Sequence, residues 1–312
     1  MAIKLGIVGI GFIAKHQHLP TIAASSDFEL VAAASRSSAV EGVKTYKTIA
    51  EMLAGSPEIE AVSLCAPPIP RAAEARLALD AGKHVLLEKP PGATLSEVHD
   101  LVARAAKRNV TLNASWHSRH APGVAPARDW LKQRTVRSAQ VIWKEDVRVW
   151  HPGQDWIFEP GGLGIFDPTI NALSILTTIL PAPFSLTSAR LDFPENRQAP
   201  VAAELAFADA NAAPISASVD FLQTGPQTWD IIVATDSGEL KLSKGGSEFY
   251  LNGVRQEIAH EADIIRGEYI GVYAHFAALI KARKSDVDLA PFAHVADAFM
   301  LGERRTVAPF SF

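Results

Sequence analysis

Cysteine is almost absent from the 312-residue chain, with Cys65 alone. One thiol excludes an internal disulfide, so nothing asks for an oxidising compartment and the cytoplasm is the expected location. Long apolar runs are missing too. The most hydrophobic helix candidate, NALSILTTIL at 171–180, is short and carries polar residues, so no membrane partner is expected. The opening MAIKLGIVGIG enters a strand-like run without the regions of a signal peptide. There is no excess of positive charge: the formal net charge is -4, and no basic run is dense enough to follow a phosphate backbone. Nucleic acid is therefore not an expected partner. Metal signatures are lacking as well. His16, His18, His117, His120, His151 and Glu145 match no recognised spacing such as H-E-x-x-H, so no metal is expected. What remains is a composition of 48% hydrophobic and 21% charged residues, ordinary for a soluble chain of about two domains.

From residue 3 to about 115, short apolar strands (IKLGIVG, FELVAAAS, EAVSLCA, HVLLE and VTLNAS) alternate with longer helical patterns. That is the βαβ rhythm of a doubly wound parallel sheet. The rhythm then changes. A helix (APARDWLKQ), a strand (VRSAQVIWKED) and an aromatic, glycine-rich loop lead to a helix near Asp167. Six strands follow between about 183 and 251, with the apolar–polar alternation of an antiparallel sheet covered on one face. Two helices, roughly 262–283 and 290–303, are expected to finish the chain. The predicted fold class is α/β: a Rossmann domain over 1–118, then an α+β domain over 119–312 with an open-faced, mostly antiparallel sheet for substrate binding and oligomerisation. A C-terminal helix is a candidate to pack back on the first domain.

The first βα turn, GIVGIGFIA, holds Gly9, Gly11 and Ala14 in G-x-G-x-x-G/A spacing. Gly9 allows a tight turn, Gly11 lets the backbone approach a pyrophosphate, and Ala14 permits close helix packing. Phe12 and Ile13 in the same loop, and Ala66 and Pro67 after the third strand, are further cofactor-binding candidates. The second strand ends in Ser35 and Arg36, where NAD-binding chains normally place an acid for the ribose hydroxyl. Arg36 suits a 2′-phosphate and Ser35 can hydrogen-bond to one, so NADP is preferred and NAD possible. The alternative for Arg36 is a solvated surface cation. At the fourth strand's end, Glu88 and Lys89 stand where open α/β sheets bind ligands, and Pro90 holds Lys89 extended.

In GGLGIFDPTINAL, Asp167 reads as a helix N-cap with Pro168 at the first helical position. Asn171, four residues on, shares its face. The alternative is that Asp167 moves a proton. His117, Glu145, Trp150, His151 and Trp229 offer the imidazole, carboxylate and indole groups that suit a sugar's hydroxyls and flat faces. Each also has an ordinary structural reading.

Through GIGFIA, EKPPGAT and the glycine-rich run into DPTIN, the chain resembles the Gfo/Idh/MocA family of sugar and polyol oxidoreductases over essentially its whole length. Within the family it is most similar to aldose 1-dehydrogenases of the L-arabinose and D-galactose type, which implies a pyranose such as L-arabinose, D-galactose or D-fucose as substrate. The resemblance implies a nicotinamide cofactor, a sugar substrate, and a homodimer or homotetramer built on the open sheet face. It also implies Lys89, Asp167 and Asn171 as catalytic, with His117, Glu145, Trp150, His151 and Trp229 around the substrate. Many members carry a histidine base where this chain has Asn171. Asparagine cannot take up a proton usefully at neutral pH, which moves the base to Asp167. The reaction expected is oxidation of C1 to an aldonolactone. Polyol or inositol oxidation on the same fold, and a non-catalytic NADP-binding regulator, are the alternatives.

Overall fold

The computed structural model describes residues 1–258 and 264–312, apart from the Ile264 side chain. The chain divides into two compact units, Met1–His117 with Ile265–Leu289, and Ser118–Ile264 with Ala290–Phe312.

In the first unit six strands, β1 (Ile3–Val8), β2 (Phe28–Ala34), β3 (Lys44–Tyr46), β4 (Ala61–Leu64), β5 (His84–Glu88) and β6 (Leu112–Ser115), form one sheet in the order β3-β2-β1-β4-β5-β6. Every neighbouring pair is parallel. Side chains alternate across the pleat, so both faces need cover. Val8, Val62, Leu64, Val85 and Leu87 pack with Met52, Ala75, Ala78, Leu79 and Leu101 on one face. Leu5, Ile7, Ala33 and Leu86 pack with Ile22, Val272, Tyr273 and Phe276 on the other. The second face is thus partly closed by the helix Ile264–Ala282, drawn from late in the sequence. Full burial of a Leu, Val or Phe side chain contributes about 1.5–3 kcal/mol.

Among its described residues the second unit carries nine strands: β7 (Val136–Lys144), β8 (Phe184–Pro194), β9 (Ala202–Asp209), β10 (Pro214–Asp220), β11 (Thr228–Thr235), β12 (Gly238–Ser243), β13 (Glu248–Leu251), β14 (Val254–Arg255) and β15 (Glu303–Val307). Their order is β14-β13-β12-β11-β7-β10-β9-β8-β15. The β10–β7 and β15–β8 pairs are parallel and the other pairs antiparallel, so the sheet is mixed but mostly antiparallel, as expected. Ala203, Leu205 and Phe207 alternate with Glu204 and Ala206 in burial. The helix Phe166–Ile179 is buried along most of its length, against β7 and the helices Val124–Leu131 and Ala290–Leu301.

The chain's end departs from expectation. The last helix stops at Leu301, and Glu303–Val307 pairs with β8 as an edge strand. Glu303, Arg304, Arg305 and Thr306 are exposed and Val307 half-buried, without the apolar alternation that marks a strand. The three-residue β3 is too short to show an alternation. The helix expected from about 262 has its first two positions outside the described residues.

Candidate active site

The strand order places β1 between β2 and β4, so the connection after β1 runs to β2 on one side while the connection after β4 runs to β5 on the other. Such switch points open a crevice at the carboxyl ends of the strands. Gly9 begins the loop there with φ +86°, a conformation that L side chains avoid. A Cβ on Gly9 would stand 2.6 Å from the Ala66 backbone nitrogen, so glycine is required by the fold itself. At Gly11 nothing lies within 4 Å of a built Cβ. The loop therefore leaves open the position where a pyrophosphate must approach the backbone, and the residues present fit a dinucleotide. Phe12 is exposed, Ile13 half-buried and Ala14 fully buried.

The helix after the loop contains a π turn over Ala14–His18. Pro20 follows two residues on and cannot donate a helical hydrogen bond. At the end of β2 the Ser35 hydroxyl accepts from Ser38 N at 3.2 Å, leaving its own proton to donate. Arg36 is exposed, and its carbonyl accepts from Lys47 Nζ at 3.3 Å. Ala66 is buried, while Pro67 is exposed at the cap of the helix Pro68–Asp80.

Glu88, 4% exposed, turns inward. Its Oε1 accepts from His18 Nε2 at 3.1 Å, Ser115 Oγ at 2.9 Å and the Tyr269 hydroxyl at 2.9 Å, and its Oε2 accepts from Lys89 N at 3.0 Å. The His18 Nδ1 lies 2.8 Å from the Tyr273 hydroxyl, which donates to Ser63 Oγ at 3.1 Å. Burial alone would raise the Glu88 pKa, but the hydrogen bond and charge of His18 outweigh it and hold the carboxyl well below the usual range. Burial alone would lower the His18 pKa. Cys65, Tyr273 and Glu88 outweigh it, and the imidazole is raised above its ordinary 6.5. The sequence marks neither His18 nor the tyrosines as functional, although His18 falls on the buried stripe Ala14, His18, Ile22 at four-residue spacing. Arg71, buried at 3%, was missed as well. It donates to the carbonyls of Ala66, Glu88 and Pro90. Lys89 lies between the last two, and the Lys89–Pro90 bond is cis. His117 Nδ1 sits 2.6 Å from Glu268 Oε2, and the ring stacks on Tyr269 with centroids 5.2 Å apart.

In the second unit, the helix carrying Asp167 starts one residue before it. Ile165 is the cap position, Phe166 is the first helical residue, and no side chain caps the end. The cap expected of Asp167 is therefore corrected. The left-handed turn at Gly164 and the bonds Phe166 N to Leu163 O and Asp167 N to Gly164 O wind the helix before Asp167 is reached. Asp167 lies in the first turn, 4% exposed, with its Oδ2 3.6 Å from His151 Nε2. Asn171 follows one turn later, half-buried.

The segment after β7 links this pair to a second group. Glu145 is buried, and its Oε2 accepts from Trp229 Nε1 at 2.7 Å and Trp143 Nε1 at 3.3 Å. Asp146 then caps the helical turn Val147–Trp150 by accepting from Arg148 N at 2.9 Å. That turn carries Trp150 against Trp229, edge-on at 5.2 Å, with its Nε1 donating to Gln227 Oε1 at 2.7 Å. His151 comes next and meets Phe221 edge-on at 5.6 Å. Two indoles bound to one carboxylate, joined along the chain through Val147–Trp150 to an acid–imidazole pair, offer both a flat apolar face and hydrogen-bonding oxygens and nitrogens. Trp143 and Gln227 are members that the sequence did not single out.

Residues 3–115 match the model of an oxidoreductase family with an NAD-binding Rossmann fold, GFO_IDH_MocA. A galactose 1-dehydrogenase of Pseudomonas fluorescens is 44% identical over 308 residues, 99% of this chain and 98% of that one. The chain belongs to the Gfo/Idh/MocA oxidoreductase family. A solved D-galactose-1-dehydrogenase from Rhizobium etli superposes with a TM-score of 0.94 at 55% identity, covering 99% of this chain and 98% of its own. More distantly, a 3-ketoreductase of Actinomadura kijaniata, solved with NADP and TDP-benzene, shares the fold at a TM-score of 0.80 and 18% identity over 98% of this chain. This Gfo/Idh/MocA chain thus carries an NAD(P)-binding Rossmann unit. Among the described residues there is no group of three or more His, Cys, Asp or Glu side chains placed to hold a metal, and no helix is long and apolar enough to cross a membrane.

Proposed function

We propose that the protein is an NAD(P)-dependent aldose 1-dehydrogenase that oxidises the anomeric carbon of a pyranose, such as D-galactose, L-arabinose or D-fucose, to the aldonolactone. The observation that carries this reading is full-length identity of 44% and 55% to two galactose 1-dehydrogenases, alongside a buried carboxylate at Asp167 where many family members rely on the histidine that Asn171 replaces. A nicotinamide coenzyme held at the Gly9–Gly11 loop would supply the hydride acceptor for C1. Asp167 takes the proton of the C1 hydroxyl as its carbon becomes a carbonyl, and His151, 3.6 Å from the carboxylate, hydrogen-bonds to the sugar and steadies the acid. Lys89 orients that hydroxyl and stabilises its developing negative charge, and Asn171 fixes the sugar or the carboxylate. Glu145 accepts hydrogen bonds from sugar hydroxyls, Trp229 and Trp150 give an apolar face, and His117 completes the substrate contacts. General-base assistance is worth about 10² to 10⁴ in rate.

Gly9, Gly11, Phe12, Ile13, Ser35, Arg36, Ala66, Pro67 and the Glu88–Lys89 backbone hold the coenzyme, with NADP preferred because Arg36 replaces the usual acid. The family resemblance supports association of copies into a homodimer or homotetramer through the sheet of the second unit, on which Gln140, Glu204 and Ser216 are exposed. The lone Cys65 supports a cytoplasmic location. Reduced-nicotinamide absorbance with D-galactose, L-arabinose and D-fucose, each with NADP⁺ and NAD⁺, tests the reading. Turnover to a lactone that opens to an acid supports it, and turnover only with inositols or polyols replaces it with oxidation away from C1.

A further inference from the structure

We propose that Arg71 is a positioning residue that fixes the Glu88–Lys89 and Pro90–Pro91 peptide units, which bracket Lys89, and ties them to the Ala66 loop. The inference rests on the reading of Lys89 given above. Arg71 projects from the helix Pro68–Asp80, where its neighbours on the buried stripe are Ala72, Ala75, Ala78 and Leu79. Its Nη1 donates to the Glu88 carbonyl at 2.6 Å and to the Pro90 carbonyl, and its Nη2 donates to the Ala66 carbonyl. The carbonyls that precede and follow Lys89 therefore meet the same nitrogen. The Lys89 amide is held from a different direction by Glu88 Oε2 at 3.0 Å. Glu88 is in turn fixed by His18, Ser115 and Tyr269.

The sequence offers little freedom to do this otherwise. Pro90 has no amide proton, so the turn cannot brace itself with a main-chain bond at that residue. Buried carbonyls need donors, and a rigid planar fork can serve three of them at fixed angles. A lysine ammonium would keep the charge but not the fork. The same cation also joins two loops that follow different strands, β4 and β5. The loop whose Ala66 nitrogen stands against Gly9 is thereby linked to the loop that carries the lysine. Half-buried Glu74, one turn along the helix, adds a carboxylate whose pKa burial raises and the Arg71 charge lowers.

The test uses the full-length enzyme with D-galactose and NADP⁺, at enzyme concentrations high enough to read residual rates. Arg71→Lys and Arg71→Gln are each made alone and in a Lys89→Ala background. If Arg71 acts through Lys89, Arg71→Lys lowers kcat about 10- to 100-fold with little change in sugar KM, as misplacement of a reacting group by about 1 Å does. In the Lys89→Ala background the same change then costs little more, because the group it positions is gone. An equal loss in both backgrounds, wild-type kcat in both Arg71 variants, or failure of both variants to fold overturns the inference and assigns Arg71 to stability alone. Wild-type turnover by Lys89→Ala would instead refute the role of Lys89, and the positioning inference would fall with it.

Discussion

Two glycines two residues apart should fail in different ways when each becomes alanine. At Gly9 the added Cβ meets the Ala66 nitrogen at 2.6 Å and its Cα at 2.9 Å, and φ is +86°. A left-handed L-residue costs roughly 1–2 kcal/mol. Crowding against backbone adds about 1–3 kcal/mol, because the Ala66 carbonyl is held by Arg71 and the loop cannot simply retreat. Gly9→Ala should therefore lose about 2–5 kcal/mol and melt roughly 5–15 °C lower, with coenzyme affinity falling as a consequence. Gly11→Ala meets nothing within 4 Å, so its melting temperature should stay close to wild type. Its methyl instead occupies the approach to the pyrophosphate, and NADPH affinity should fall about tenfold or more. Thermal melts without coenzyme, and NADPH titrations followed by protein fluorescence, separate the two effects. Wild-type NADPH affinity in Gly11→Ala would refute the placement of the coenzyme on this loop, and an unchanged melt for Gly9→Ala would refute the steric argument.

Two further outcomes follow from the first unit. The raised His18 pKa means that its contribution to stability is complete below 6.5 and is lost as pH climbs through the higher folded value, while the lowered Glu88 pKa gives a contribution complete above 4.5 and lost as pH falls. The melting-temperature gap between wild type and His18→Gln should thus be widest between these two values and shrink at alkaline pH; a gap independent of pH contradicts the buried charged pair. Arg36→Ala should raise KM for NADP⁺ about 10- to 100-fold and leave KM for NAD⁺ nearly unchanged, which steady-state kinetics with both coenzymes will show. Equal effects on both coenzymes would reduce Arg36 to a surface cation.

Apart from the short β3, the elements of the Rossmann unit were legible because their signals are local. Thr94 and Glu97 form the capping box that opens the helix Leu95–Arg108, and left-handed Asn109 closes it. In the second unit, strands such as β9 and β10 carry alternation that survives into the observed burial. What was not legible depends on residues distant in sequence. His18 and Tyr273 are 255 positions apart, and no local pattern announces their contact. Arg71 left a trace, a charge on an alanine-rich buried face, whose partners are main-chain carbonyls that sequence cannot display. Glu145 and Trp229 were both named, but their hydrogen bond depends on the pairing of β11 with β7, where Trp229 lies opposite Trp143. Asp167 was read as a cap because Asp-Pro has that local meaning; the turn at Gly164 decided otherwise.

Asp167→Asn removes the proposed proton acceptor with almost no change in shape. Its kcat for D-galactose should drop by about 10² to 10⁴, while NADPH affinity and melting temperature stay close to wild type. Near-normal kcat in that variant would contradict the assignment of Asp167 as the base for anomeric oxidation.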